Sequence, residues 1–286
     1  MKRAAALFFA TFILVGTPSA SQPPPQRIVS LIPSLTEDLF ALGAGNRVVG
    51  VSEFSDFPDA AKRLPHVASF TSLDAERIVA MHPDLIVGDA SQNALVEPLL
   101  RAKLRVRLFH EDSVGDIYAV LRELGTLLGL TARANALVQK MQTESSRLMQ
   151  SVDRTHTPSV FVVLDVSPIY TVGKHSYINT MIEMAGGRNA SGESAAYDRY
   201  SAEALLALQP DVIVVDPAVG LRAVEAREPW RSLHAIQRGN VAVIPDPGIL
   251  LHPSPRYNQG LAWLIGVLRQ VEDRGSRHSD NRGSQG

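Results

Sequence analysis

The sequence contains no cysteine. Disulfides, thiolate metal sites and a cysteine nucleophile are therefore excluded, as is a lipid-modified cysteine at an export cleavage site. An excess of charge is missing too, with 28 Lys and Arg against 29 Asp and Glu. That balance offers nucleic acid no basic footprint. Aromatic residues are scarce, at 6% of the chain, so the places where they fall carry information. No apolar run approaches the ~20 residues of a bilayer-spanning helix; the longest, Ala4 to Gly16, has 13. Catalytic signatures are absent: there is no G-x-S-x-G elbow, no H-E-x-x-H and no phosphate-binding P-loop. The stretch GAGNRVVG (43–50) places its glycines after a helix and before a strand, the reverse of a dinucleotide loop. His110, Glu111 and Asp112 are consecutive, so they cannot all point at one metal, and they read as a polar turn. No enzyme is expected.

Among the features that are present, Lys2 and Arg3 precede the short apolar run, and Ser19, Ala20 and Ser21 follow it. This is the pattern of a secretory signal over residues 1–21, cleaved near Ala20 or Ser21, which implies a periplasmic protein. From Arg27 onward, short apolar runs alternate with amphipathic stretches, which predicts parallel sheets with helical crossovers. RIVSLIPS, RVVGVS, LIVG and RVRLF read as strands of a first α/β lobe over 22–128. A stretch without Gly or Pro, Ala132 to Val152, then predicts one long helix within a connecting segment 129–156. At 1.5 Å per residue it would be ~30 Å long, with Leu137, Met141 and Leu148 as its buried stripe. SVFVVLD opens a second α/β lobe over 157–271. The polar, Gly-rich tail 272–286 reads as disordered.

Two stretches are nearly alike: LDAERIVAMHPDLIVGDA (73–90) and YSAEALLALQPDVIVVDP (200–217). They align without a gap, pairing Glu76 with Glu203, Pro83 with Pro210 and Asp84 with Asp211, 127 residues apart. A carboxylate in a first helical turn is favoured by the macrodipole, and Pro-Asp is an ordinary helix stop. Local chemistry explains each copy alone. It does not explain why the unit recurs at matching places in two lobes, giving a pseudo-twofold surface with one acid per half.

The chain from Arg27 to about Arg269 resembles the periplasmic binding proteins of ABC importers for metal chelates, whose two lobes are joined by one rigid helix. The motifs that carry the likeness are RIVSLIPSLTEDLFALG, LDAERIVAMHPDLIV, YTVGKHS, EMAGGRN and EALLALQPDVIVV; VGVSEFSDFP leans toward the cobalamin branch. The resemblance implies a monomer that carries cobalamin or a related corrinoid to a homodimeric permease with its ATPase subunits. Haem or a ferric siderophore is the alternative cargo, ahead of zinc or manganese. It further implies that Glu76 and Glu203 dock the permease, and that Phe54, Phe70, Tyr170 and Tyr197, read as loop residues, face the ligand. Asp246 and Arg256 would supply polar contacts. No metal site is expected, although His252 is the one imidazole placed to coordinate cobalt or iron. Trp230 and Trp263 read as core.

Overall fold

The computed structural model describes residues 23–192 and 197–283, with the backbone alone at 198 and 275–283. The expected secretory signal lies outside the described residues.

The first half builds a sheet from β1 (Ile28–Ser30), β2 (Val48–Ser52), β3 (His66–Ala68), β4 (Leu85–Asp89) and β5 (Val106–Phe109). The strand order is β3-β2-β1-β4-β5, and every pairing is parallel. The helices are α1 (Pro33–Ala41), α2 (Ala75–Ala80), α3 (Glu97–Arg101), α4 (Val114–Leu127) and α5 (Thr131–Gln150). Central strands of such a sheet are covered on both faces, so they must be apolar throughout rather than alternating. Ile28 and Val29 of β1 and Leu85, Ile86 and Val87 of β4 obey this, each with no exposed surface.

The second half repeats the plan with β6 (Ser159–Val163), β9 (Arg188–Asn189), β11 (Val212–Val215) and β12 (Val241–Val243), ordered β12-β11-β6-β9 and parallel. A small antiparallel sheet, β10-β8-β7, uses β7 (Asp165–Val166), β8 (Ile169–Val172) and β10 (Tyr197–Tyr200). Its helices are α6 (Tyr177–Met184), α7 (Ala202–Leu208), α8 (Leu221–Glu225), α9 (His234–Gln237), α10 (Pro247–Leu250) and α11 (Tyr257–Gly283). All four residues of β11 are fully buried. At ~1.5–3 kcal/mol for each apolar side chain removed from water, these runs are what the lobe is built on.

The duplicated unit has a structural meaning that a helix-stop reading missed. Asp84 accepts from the backbone N–H of Gln26 (2.7 Å) and Arg27 (2.9 Å), just ahead of β1. Asp211 accepts from the N–H of Ser159 at 2.8 Å, at the start of β6. In each lobe, the Asp that opens one central strand fastens the start of its neighbour. Asp74 also caps α2, accepting from the Arg77 N–H at 2.9 Å.

The long helix runs without a break from Thr131 to Gln150. Ala134, Val138, Met141, Ser145 and Leu148 are its buried residues, while Leu137 is only partly covered. It returns against α4 at close range. A Cβ on Gly125 would lie 2.3 Å from the Ala134 Cβ, so no other residue fits there without parting the two helices. On its other side Asn258 of α11 donates to the Met141 carbonyl at 2.9 Å. One apolar cluster thus joins Leu35, Leu121 and Val138 from the first half and helix to Val162, Ile182 and Leu261 from the second.

Three expectations are corrected. Helix α11 does not yield to a disordered tail at residue 272: its backbone continues to Gly283. No proline interrupts that stretch, and a polar sequence suits an exposed helix as well as a coil. Tyr170 and Tyr197 are strand residues, not loop residues, because the small antiparallel sheet pairs Tyr170 with Arg199 and Tyr197 with Val172. The turn at 110–112 is not simply polar surface, since Glu111 is buried.

Candidate functional site

In a doubly wound sheet, the strand order reverses beside the first strand, and the crevice beyond the strand C-termini is the usual ligand position. Here that reversal lies between β1 and β4, where α1 begins. The second lobe packs onto this same edge: His252, Ser254 and Arg256 all reach Glu37 of α1. Tyr197, on β10, falls within electrostatic reach of Asp89 and Asp112 across the lobes. The strand ends of the two halves therefore face one another.

The aromatic candidates sit on these edges. Phe54 follows β2 and is 73% exposed, with a left-handed backbone (φ 62°) that turns the chain at the rim. Phe70 follows β3 and is 70% exposed, and Tyr197 is 50% exposed. Phe54 and Phe70 thus stand at the ends of neighbouring strands of the first lobe, and Tyr197 belongs to the second. Tyr170 is half-buried on β8 beside them. Loss of solvation raises the Tyr197 hydroxyl above the usual phenol range, and Asp89 and Asp112 add to the rise. By contrast Trp230 is 1% exposed and packs edge-on to Phe161, 6.1 Å between ring centroids; Trp263 packs partly buried against the main core.

Asp246 and Arg256 form part of a network between the lobes. Glu37 is 4% exposed and Arg256 9%. The Arg256 Nε donates to Glu37 Oε2 at 2.9 Å and its Nη2 to Oε1 at 3.2 Å, while Nη1 donates to Asp246 Oδ2 at 2.6 Å. Ser254 Oγ donates to Glu37 Oε2 at 2.7 Å, and His252 Nδ1 lies 3.0 Å from Oε1. The guanidinium also stacks 4.0 Å above the Phe57 ring. Burial pulls the Arg256 pKa down, but the bonds from Glu37 and Asp246 outweigh it and the net direction is upward. The network needs glycine at 248, where a Cβ would fall 1.7 Å from Arg256 Nη2. His252 thus directs Nδ1 at a carboxylate. No group of three or more His, Cys, Asp or Glu side chains among the described residues could hold a metal.

Sequence reasoning missed Glu37 and two further buried acids. Asp38 has no exposed surface, and neither of its oxygens has a hydrogen-bond partner among the described residues. Glu111 is 8% exposed; Ser34 Oγ donates to its Oε2 at 2.6 Å, while Oε1 has no partner. Burial lifts the Asp38 carboxyl well above the usual range, and the charges of Glu111 and Glu37 add to this. Burial likewise pushes Glu111 up to about 8; the Ser34 bond opposes the rise, and Asp89, Asp116 and Asp112 reinforce it.

The sign of the resulting pH dependence follows from linkage. The folded protein holds the Glu111 proton up to pH near 8, whereas the unfolded chain releases it at ordinary carboxylate pH. The native state therefore binds more protons over that window, and stability falls as pH rises through it. With neighbouring carboxyls sharing the load, we expect ~2 kcal/mol less stability at pH 8 than at pH 5, or ~4–8 °C in Tm. Thermal unfolding followed by circular dichroism checks this. Glu111→Gln should flatten the slope, and an unaltered slope in that variant would refute the assignment.

The docking candidates lie apart from this interior. Glu76 and Glu203 are both exposed, each in the first turn of a helix that leads into a central parallel strand. Each helix therefore starts toward the strand-C-terminal edge of its own lobe. The Glu203 carboxyl is held below the usual range by its own backbone N–H and by Ser201.

Comparison with known proteins agrees with this architecture. Residues 28–247 match the family described as periplasmic binding protein. The ABC transporter substrate-binding lipoprotein YvrC of Bacillus subtilis is 28% identical over 249 residues, covering 84% of this chain and 79% of that protein. A vitamin B12-binding protein of Yersinia pestis (strain Pestoides F) is 28% identical over 218 residues, covering 75% and 76%. The crystal structure of a periplasmic heme binding protein from Pseudomonas aeruginosa superposes with a TM-score of 0.76 at 28% identity, covering 84% of this chain and 91% of that one. Two parallel α/β lobes meeting at their strand ends, with one helix spanning between them, make this chain a member of the periplasmic binding protein family.

Proposed function

We propose that the protein captures cobalamin or a related corrinoid between its lobes and delivers it to an ABC permease driven by ATPase subunits. The observation that carries this reading is the set of bare aromatic side chains at the crevice rim, Phe54, Phe70 and Tyr197. A corrin is broad and flat with apolar faces, and stacking against aromatic rings is the contact such a face favours. The likeness to a vitamin B12-binding protein points the same way.

Haem is the second reading, supported by the heme-binding structural relative and by Tyr197 as an available ligand. His252 would offer Nε2 alone, since Nδ1 faces Glu37. The protein mixed with cyanocobalamin should retain the corrin absorbance through a desalting column at roughly one equivalent. Failure to retain it, together with a new Soret band after haem addition, would transfer the assignment to haem.

Delivery follows from stiffness. Helix α5 is continuous, and Glu37 and Arg256 bolt the lobes together at its side of the crevice. Neither feature provides the few freely turning residues that a hinge requires. Closure on the guest is therefore small, and release depends on the permease levering the lobes through Glu76 on one and Glu203 on the other.

A further inference from the structure

The repeated unit matches in three dimensions as closely as in sequence. Asp74 accepts from the Arg77 N–H at 2.9 Å, and Ser201, 127 residues further on, accepts from the Ala204 N–H at 3.1 Å. Ile78 and Leu205 anchor the inner face of each helix, both with no exposed surface. Each helix then stops at a left-handed residue that is not glycine, His82 (φ 49°) and Gln209 (φ 40°), ahead of the buried Pro83 and Pro210. Cap, anchor and stop coincide, so α2 and α7 present equivalent positions to solvent.

What stands on those outer faces also recurs. Among the described residues nine large apolar side chains are exposed, and four of them form two pairs separated by the same 127 residues. One pair, Phe70 and Tyr197, belongs to the crevice rim. The other is Val79, 40% exposed, and Leu206, 36% exposed. They follow Glu76 and Glu203 by three positions, and residues so spaced on a helix are surface neighbours with Cβ atoms ~5–6 Å apart. Ala80 and Ala207, both exposed, extend the stripe. The other exposed position on these helices is not shared, since Arg77 corresponds to Ala204. A lone exposed apolar residue needs no explanation. An acid followed by an apolar side chain and a methyl, shown once by each lobe, does.

We propose that Val79 and Leu206 form the apolar half of the docking contact. The occupant is a twofold-symmetric membrane permease, each half of which offers a cation to the glutamate and an apolar seat to the residue one turn along. Charge alone would hold such a contact weakly, because exposed ion pairs are worth little in water. An apolar neighbour that excludes water shields the pair, as the rim of an interface hot spot does. The two parts divide the work: the acids steer approach and are screened by salt, whereas the apolar side chains hold the docked state and are not. The inference rests on Glu76 and Glu203 docking the permease, and it adds two side chains to that contact.

The test measures the affinity of the full protein for the cognate permease complex in nanodiscs, by biolayer interferometry at low and high salt. Val79→Ala/Leu206→Ala, checked for native circular dichroism and Tm, should bind ~10-fold more weakly or worse at both salt concentrations. Val79→Leu keeps the apolar surface and should stay within ~3-fold of wild type. Glu76→Gln/Glu203→Gln should instead lose affinity chiefly at low salt, and with it the salt dependence. If the glutamine variant weakens while the alanine variant stays within ~2-fold of wild type, the apolar contact is overturned and the docking acids stand. An equal loss in Val79→Leu and the alanine variant overturns it as well. If the glutamine variant binds as wild type does, or the wild type does not bind, the docking reading fails and this inference falls with it.

Discussion

Replacing Glu37 with alanine lowers Tm by ~10 °C or more, the largest stability loss expected of any single substitution at the junction of the lobes. The cause is what remains behind. Arg256 keeps its charge in a site where it is 9% exposed, with Asp246 as its one remaining carboxylate partner among the described residues, and Ser254 and His252 lose their acceptor as well. Removing one member of a buried ion pair typically costs ~3–5 kcal/mol, because the other is left desolvated and uncompensated. An apolar pair behaves differently. Glu37→Leu combined with Arg256→Met should recover much of that loss, giving a strongly non-additive double-mutant cycle in thermal or urea unfolding. Additive losses, or a Tm within ~2 °C of wild type for Glu37→Ala, would show that the network contributes little.

Replacing both Glu76 and Glu203 with alanine should abolish transport while leaving chelate capture intact. Each side chain is exposed at a helix start on its own lobe. Truncating one member of a charge pair closed off by a partner costs ~2–5 kcal/mol. Two such losses predict a fall in uptake of ~100-fold or more, and each single variant an intermediate fall. Uptake of labelled cyanocobalamin in cells carrying the cognate permease measures this, with the desalting assay as the control for capture. Normal uptake in the double variant would remove the docking role from both residues.

The sequence made some of this legible and hid the rest for definite reasons. Parallel α/β lobes and the long helix are local patterns of period and breaker, and they stand as read. Pro-Asp was legible as a motif but not as a fastener, because Asp84 reaches Arg27 and Asp211 reaches Ser159 only once strands lie side by side. Glu37 was invisible. In SLTEDLF it reads as the wet face of a helix, and its partners Ser254 and Arg256 lie 217 and 219 residues away. The one available signal was a crowding of acids: Glu37 and Asp38 are adjacent, lie about 100° apart around a helix, and leave little room for a buried stripe. Glu111 was misread for a related cause. A polar triplet after a strand is usually surface, and nothing local says that α1 and its Ser34 will cover it. The tail was misread in the opposite sense, since polar composition alone cannot separate an exposed helix from coil.

The apolar cluster shared by both halves and the α5 helix carries a consequence for how the molecule comes apart. Leu35, Val138 and Leu261 belong to one buried body, so stripping either half away would expose part of the core of the other. The chain should melt once, as a single cooperative event. Cutting it near residue 155 would yield two fragments with wet, sticky faces, and a transporter that relies on prying such an object must act by small elastic strain, never by partial melting.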